Sequence, residues 1–533
     1  FELEPLATMA ENSNSMMGGV GSAPSMAPII TLSAIGLFML ILATLNYINI
    51  SLAMVMKRLK EIGIRKVIGS KRKQLVSQFI IENLILCSCS MLCGLLLAHS
   101  LFLPGFNEIA GGDFKLDIFS HSNFILFLFG LLVFITLASG LYPAIVASSF
   151  KPISILRKTT ARSGNRLLSN VFLTFQMILA MVTIVAAVMF VYTNRVNESI
   201  DWGYDQYNKL VISLTDDNYN DEFRDFLASN PMVEGFAGTQ STIGQALNGV
   251  PFENGEFKTY AELFSVGTNY PEILGLNLIE GRLFDDDLES DLKTALVVNE
   301  SFMERLQLDF YPDGTLIKQD STDYRIIGVV EDYHYTNPGS RIRGAALQAI
   351  PSSAYSSYLA KMVDGDIFEQ REKVESQLGE LFNDQNIYIG VQETVFDDFY
   401  EEMKGIRNIM LFTASVAILL AAMGLYGLVN INVTNHIKDF GVRKVLGASG
   451  LSLSKTVIRK FRYVLLLAVL IGCPIAVLLV DMLINYIYAY APSIGVGPLS
   501  IAVSILLAVA LFTLNLQVRK VRRMNPAETL RTE

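Results

Sequence analysis

Apolar residues gather along the 533-residue chain into seven long runs, at 29–55, 79–103, 124–147, 171–192, 409–431, 463–488 and 499–518. About 20 consecutive apolar residues suffice for a helix to cross a bilayer, and each run reaches that length. One buried core helix could imitate one such run; seven predict a polytopic membrane protein. Between the fourth and fifth runs the pattern changes. Stretches 209–214, 295–298, 324–330 and 387–391 cluster or alternate β-formers, as strands do. Stretches 221–229 and 368–382 carry helical spacing with charged faces. Turn residues punctuate them, at Glu280-Gly281 and Pro312-Asp313-Gly314. The pattern predicts an α+β extracytoplasmic domain between two sets of spans.

Composition agrees with the pattern: 51% of residues are apolar and 17% charged, unusual for a soluble chain of this length. The net charge of −9 is sorted by position. The stretch 57–73 holds Lys57, Arg58, Lys60, Arg65, Lys66, Lys71, Arg72 and Lys73 against Glu61 alone. Lys151, Arg157, Lys158, Arg162 and Arg166 follow the third run, and 438–462 and 519–523 are basic too. The acids concentrate between Glu198 and Glu402. Lys and Arg in short loops stay inside the cell, so the basic segments are expected in the cytoplasm and the acidic domain outside.

This orientation organises the chain. Residues 1–28 read as the tail of a first outer domain or a linker, and 29–147 hold three spans. A cytoplasmic connector spans 148–170, and the fourth span occupies 171–193. The outer domain runs over 194–405, three more spans over 406–518, and a cytoplasmic tail over 519–533. The four cysteines, Cys87, Cys89, Cys93 and Cys473, all lie in spans and read as small packing residues.

Two segments repeat. Lys60-Glu61-Ile62-Gly63-Ile64-Arg65-Lys66-Val67-Ile68-Gly69-Ser70 follows the first span, and Lys438-Asp439-Phe440-Gly441-Val442-Arg443-Lys444-Val445-Leu446-Gly447-Ala448 follows the fifth. A second echo joins Lys151-Pro152 with Leu156-Arg157 to Asn525-Pro526 with Leu530-Arg531. Repeated order at corresponding places implies duplicated halves. Each block continues a span as a helix and breaks at Gly69 or Gly447, where the chain turns back. A basic anchor that merely fixes orientation is the plainer reading, but it would not require the shared acid, glycines and apolar positions. The candidate site is therefore Glu61, Gly63, Arg65, Lys66 and Gly69 with Asp439, Gly441, Arg443, Lys444 and Gly447, presented to a cytoplasmic partner. The second half has a span before its domain, so true repeats lead one to expect a further span and outer domain upstream, with four-span halves and the first incomplete here.

These blocks resemble the E-I-G-I-R-K-x-x-G signature of the FtsX-like permeases. Leu141-Tyr142-Pro143-Ala144 resembles that family's end-of-half signature, although no Tyr-Pro occurs at 512–518. Segments Tyr270-Pro271-Glu272-Ile273-Leu274-Gly275, Glu280-Gly281-Arg282-Leu283-Phe284, Val298-Asn299-Glu300-Ser301-Phe302 and Ile327–His334 resemble the MacB-type periplasmic core domain. The resemblance implies the permease of an ABC transporter in the bacterial inner membrane, paired with a cytoplasmic ABC ATPase dimer that uses ATP and Mg. It further implies that motion is relayed to the periplasm, for export or extraction of a peptide, lipoprotein or drug-like substrate. Besides membrane lipid, a periplasmic or outer-membrane partner follows from the same resemblance. The alternative is a non-transporting regulator or scaffold that controls a periplasmic partner such as a cell-wall hydrolase. No G-x-x-x-x-G-K-[ST] phosphate loop occurs in these residues. No catalytic residue, metal, directly bound cofactor or nucleic-acid partner is expected. Asn46, Asn49 and Asp481 are polar within spans and read as interhelical bonds or interfacial groups. His334, beside Asp332, lacks ligand spacing.

Overall fold

The computed structural model describes residues 26–110, 115–117, 122–149, 164–213, 220–244, 249–255, 257–309, 311, 314–319, 322–382, 387–446 and 448–523. Among the described residues, seven helices are long and apolar enough to cross a membrane: Ser33–Leu52, Arg72–Glu108, Ser122–Val146, Ser169–Glu198, Gln392–Thr434, Phe461–Ile487 and Val496–Arg519. Each coincides in large part with one of the seven apolar runs. The second is longer than its run, because the helix Arg72–Leu97 begins inside the basic segment. Residues 26–194, 402–487 and 491 onward form one unit, and 195–401 with Tyr488–Tyr490 form another.

In the membrane unit, polar side chains join helices where hydrocarbon offers no alternative partner. Asn83 in the second span donates to the Thr136 carbonyl (2.8 Å) and Ser139 Oγ (3.0 Å) of the third. A Cβ at Gly140 would sit 2.5 Å from Asn83 Nδ2, so the glycine admits that amide. Asn194 Nδ2 donates to the Met403 carbonyl at 3.0 Å, joining the fourth and fifth spans.

The soluble unit contains two lobes. In the first, β1 (Lys209–Ser213), α1 (Asn220–Ser229) and β2 (Val233–Thr239) are followed much later by β10 (Ser357–Met362), α2 (Ile367–Leu381) and β11 (Tyr388–Val391). The strand order β11-β1-β10-β2, antiparallel throughout, is that of a split β-α-β-β-α-β motif. Its core joins Leu210 and Ile212 of β1 to Phe223 and Leu227 of α1 and to Val374 and Leu378 of α2. Asp366 caps α2 by accepting from the Phe368 and Glu369 amides at 2.9 and 3.2 Å.

The second lobe is inserted between β2 and β10. It contains β3 (Gly249–Asn254), β4 (Phe257–Val266), β5 (Leu278–Gly281), β6 (Ala295–Asn299), β7 (Thr315–Gln319), β8 (Thr322–Val330) and β9 (Ala345–Ala349). The path β4-β3-β7-β8-β6-β9 returns to β4 by a parallel pairing, and β5 pairs with β8. Closure leaves the ring without the open edges that invite aggregation. Strand β6 is buried at every residue: Leu296 and Val298 face one core, Ala295 and Val297 another. That is why its sequence is a continuous apolar run rather than an alternating one.

A polar knot ties this lobe together. Asn299 accepts from the Phe302 amide (3.1 Å), capping the helix Glu300–Arg305, and from the Ala345 amide (2.8 Å). Its Nδ2 donates to Asp332 Oδ1 (2.8 Å) and the Arg343 carbonyl (2.9 Å). Ser301 donates to Asp332 Oδ2 through Oγ at 2.6 Å. The two motifs 298–302 and 327–334 are thus one structural device. Buried His334 sits edge-on to Tyr490, 5.8 Å between ring centres. Tyr490 Oη accepts from the Ile342 amide (3.0 Å), and the Ala489 amide donates to the Gly339 carbonyl (3.0 Å).

Candidate functional site

Each block of the repeat folds as a short helix followed by a turn. The first is Leu59–Val67 and the second Ile437–Val445, nine residues each. After the first, the Gly69 amide donates to the Lys66 carbonyl (3.1 Å) and the Ser70 amide to the Arg65 carbonyl (3.0 Å). Gly69 has φ +106°, with open space where a Cβ would lie. This is a Schellman end, and the glycine is required by its backbone angle rather than by crowding. After the second helix the Ala448 amide donates to the Arg443 carbonyl at 2.9 Å, the same six-to-one bond. Gly447 lies outside the described residues, as do 150–163 and 524–533, which hold the second echo.

Both helices face their own unit in the same way. Ile62 and Phe440, equivalent positions, are buried, as are the glycines after them, Gly63 and Gly441. The outward face is apolar in both: Ile64 is 54% exposed and Val442 46%, Val67 65% and Val445 64%, Ile68 80% and Leu446 80%. The basic residues only partly face outward. Arg65, half-buried, donates to Glu61 Oε1 (2.6 Å) and Gln78 Oε1 (2.7 Å). Lys66 Nζ donates to the Ser148 carbonyl (2.6 Å), tying the turn to the end of the third span. Arg443 is exposed and Lys444 half-buried, while Asp439 Oδ2 lies 2.9 Å from His436 Nδ1. In the sequence the charges of the two blocks are conspicuous and the exposed apolar triplet is not. Its signal was present, since both blocks place apolar residues at i, i+3 and i+4 of one helix face.

Other polar candidates take structural places. Glu82 at the mouth of the second span receives Arg58 Nη1 at 3.0 Å. Asn49 Nδ2 donates to Gln176 Oε1 (3.4 Å), and Asp481 is exposed, six residues before the sixth span's helix ends. Burial lowers the pKa of His334 and keeps the imidazole neutral, though Asp332 and Asp201 oppose that shift.

Residues 33–152 and 411–526 match the FtsX-like permease C-terminal family, and 174–394 match the MacB-like periplasmic core domain. The chain belongs to the FtsX-like, MacB-type permease family. Each of its two FtsX-matching segments contains one of the two turns, and the core-domain match takes in both lobes. A macrolide export ATP-binding/permease protein, MacB, of Campylobacter fetus subsp. fetus is 43% identical over 108 residues, 20% of this chain and 16% of that protein. Its counterpart in Vibrio parahaemolyticus is 35% identical over 127 residues, 24% of this chain and 19% of that protein. The match thus spans less than a fifth of either relative. The crystal structure of the periplasmic region of MacB from Actinobacillus actinomycetemcomitans aligns with TM-score 0.28 at 17% identity, over 36% of this chain and 93% of that one.

Proposed function

We propose that this MacB-type permease is the inner-membrane subunit of an ABC transporter, driven by a cytoplasmic ATPase dimer that docks on the two turns. One observation carries the reading. Two copies of a short helix, at the ends of repeat-related spans, each leave three large apolar side chains exposed at the same positions. Contiguous exposed apolar residues mark an interaction surface. Two copies suit a partner that presents two equal sockets. ATP and Mg would be held by that partner; this chain's own part is to receive its movement at the helices Leu59–Val67 and Ile437–Val445. The movement would then pass along the first and fifth spans, for export or extraction of a peptide, lipoprotein or drug-like substrate.

The test is isolation of the complex from native membranes with a tag on this chain. An ABC ATPase should co-purify, and its hydrolysis should change when Ile68 and Leu446 are both replaced by Ala. A stable complex with a periplasmic hydrolase and no moved cargo would favour the regulator instead.

A further inference from the structure

Gln176 of the fourth span is fully buried. Its Nε2 donates to the Leu420 carbonyl of the fifth span at 2.8 Å, and its Oε1 accepts from Asn49 Nδ2 of the first span at 3.4 Å. A Cβ at Gly424 would lie 2.5 Å from Gln176 Oε1 and 2.9 Å from Nε2, so that glycine leaves the room the amide occupies. The register that sets Lys60 against Lys438 also sets Leu42 against Leu420, Asn46 against Gly424 and Asn49 against Gly427. The first and fifth spans are therefore repeat-related, and Gln176 bridges them. One continues into the turn at Gly69 and the other into the helix Ile437–Val445.

The two bonds are unequal. The one to the fifth span is short and made to a backbone carbonyl, which cannot rotate away. The one to the first span is long and made to a side chain. Asn46 and Asn49 are 5% and 4% exposed, and the Oδ1 of each accepts no hydrogen bond among the described residues. A junction built only to hold would leave no acceptor unused where water is scarce. A small displacement of the first span would change which amides meet. Neutral amides suit this, because exchanging them moves no charge through hydrocarbon.

We propose that Gln176 is a positioning residue that stays bound to the fifth span and makes and breaks its bond with the first as the two halves move. The proposal rests on the ATPase-driven reading above. It accounts for a long polar side chain at full burial and for Asn49, whose polarity no other described contact explains.

The test uses the natural complex with Cys87, Cys89, Cys93 and Cys473 replaced by Ser. Two cysteine pairs are compared with a short bifunctional thiol reagent, nucleotide-free and with ATP plus vanadate. The yield for Asn49→Cys with Gln176→Cys should change between the two states. The yield for Gln176→Cys with Leu420→Cys should be the same in both. Gln176→Met, which keeps length and removes both bonds, should shift the nucleotide dependence of an accessibility assay at Ile50→Cys, the first-span neighbour that leaves Asn49 in place, by about threefold, the factor of one interhelical hydrogen bond. If ATP turns over normally but both pairs respond alike, or neither cross-links, the proposal fails and the ATPase reading stands. If no ATPase associates with the chain, both fail.

Discussion

Replacing Ile68 and Leu446 with Ala removes the most exposed side chain of each apolar triplet. Each residue is 80% exposed, so the substitution takes almost nothing from the fold. Surface changes of this kind cost within about 0.5 kcal/mol of stability. Full burial of a Leu or Ile side chain is worth about 1.5–3 kcal/mol, so burying the exposed four-fifths against a partner is worth roughly 1.2–2.4 kcal/mol. Alanine keeps its Cβ in contact, which leaves a loss of about 1–2 kcal/mol per turn, or roughly 5- to 30-fold in affinity for each socket. Exposed charge pairs contribute only about 0.2–1 kcal/mol, so Arg443→Ala should weaken binding less. Binding of the partner ATPase to detergent-solubilised permease, measured by interferometry, separates the two. Binding of the Ala pair within about twofold of the native chain, with a larger loss for Arg443→Ala, would show that the apolar triplets are not the docking surface.

Three further outcomes are expected. Reversing Arg443 and Lys444 to Glu should lower coupled hydrolysis while membrane insertion, followed by protease protection, is unchanged; loss of insertion would make the basic blocks anchors only. In a cysteine-free background, Ser356→Cys should react with a membrane-impermeant maleimide in intact cells and Ser449→Cys should not, and the reverse pattern would invert the topology. Arg282→Ala should cost the soluble domain about 2–3 kcal/mol, read by thermal melting, because it strands buried Asp291, while the half-exposed guanidinium tempers the loss. Burial opposes ionisation of Asp291, but the bidentate Arg282 bonds at 2.5 and 3.0 Å and the Asp285 amide outweigh it and hold the carboxyl below its usual range. A depressed carboxyl contributes stability above its unfolded pKa near 4 and loses it as pH falls through the folded value, so the native domain should weaken below about pH 4 and Arg282→Ala should flatten that slope.

The spans were legible because length and hydropathy alone decide them, and seven long apolar runs leave no competing fold. Strand β6 was legible too, as Val and Leu without alternation. Strand β3 was not. Its Gly249, Pro251 and Asn254 look like turn chemistry, yet all three pair with β4. The insertion of the ring between β2 and β10 was equally hidden, since the pairing Ala237↔Leu359 joins residues far apart in sequence and no local pattern encodes it. At the candidate site, Gly69 was read correctly as a helix end. The outward face was not, because the same i, i+3, i+4 spacing would serve a buried face, and only burial of Ile62 and Phe440 tells which side is in.

An internal repeat compares a chain with itself, and here the two copies keep different things for different reasons. Their bracing has diverged. Arg58 meets Glu82 in the first copy, where the equivalent His436 meets Asp439 in the second. Asn49, which reaches Gln176, stands where the other copy has Gly427. Their outward faces have not diverged in kind. Ile64, Val67 and Ile68 answer to Val442, Val445 and Leu446 with nearly the same exposure at each position. Contacts within the chain can drift separately, because each copy has its own neighbours. A face held alike in two copies with unlike neighbours is what the proposed docking of one partner on both helices requires, and neither charge nor total hydropathy enters that requirement.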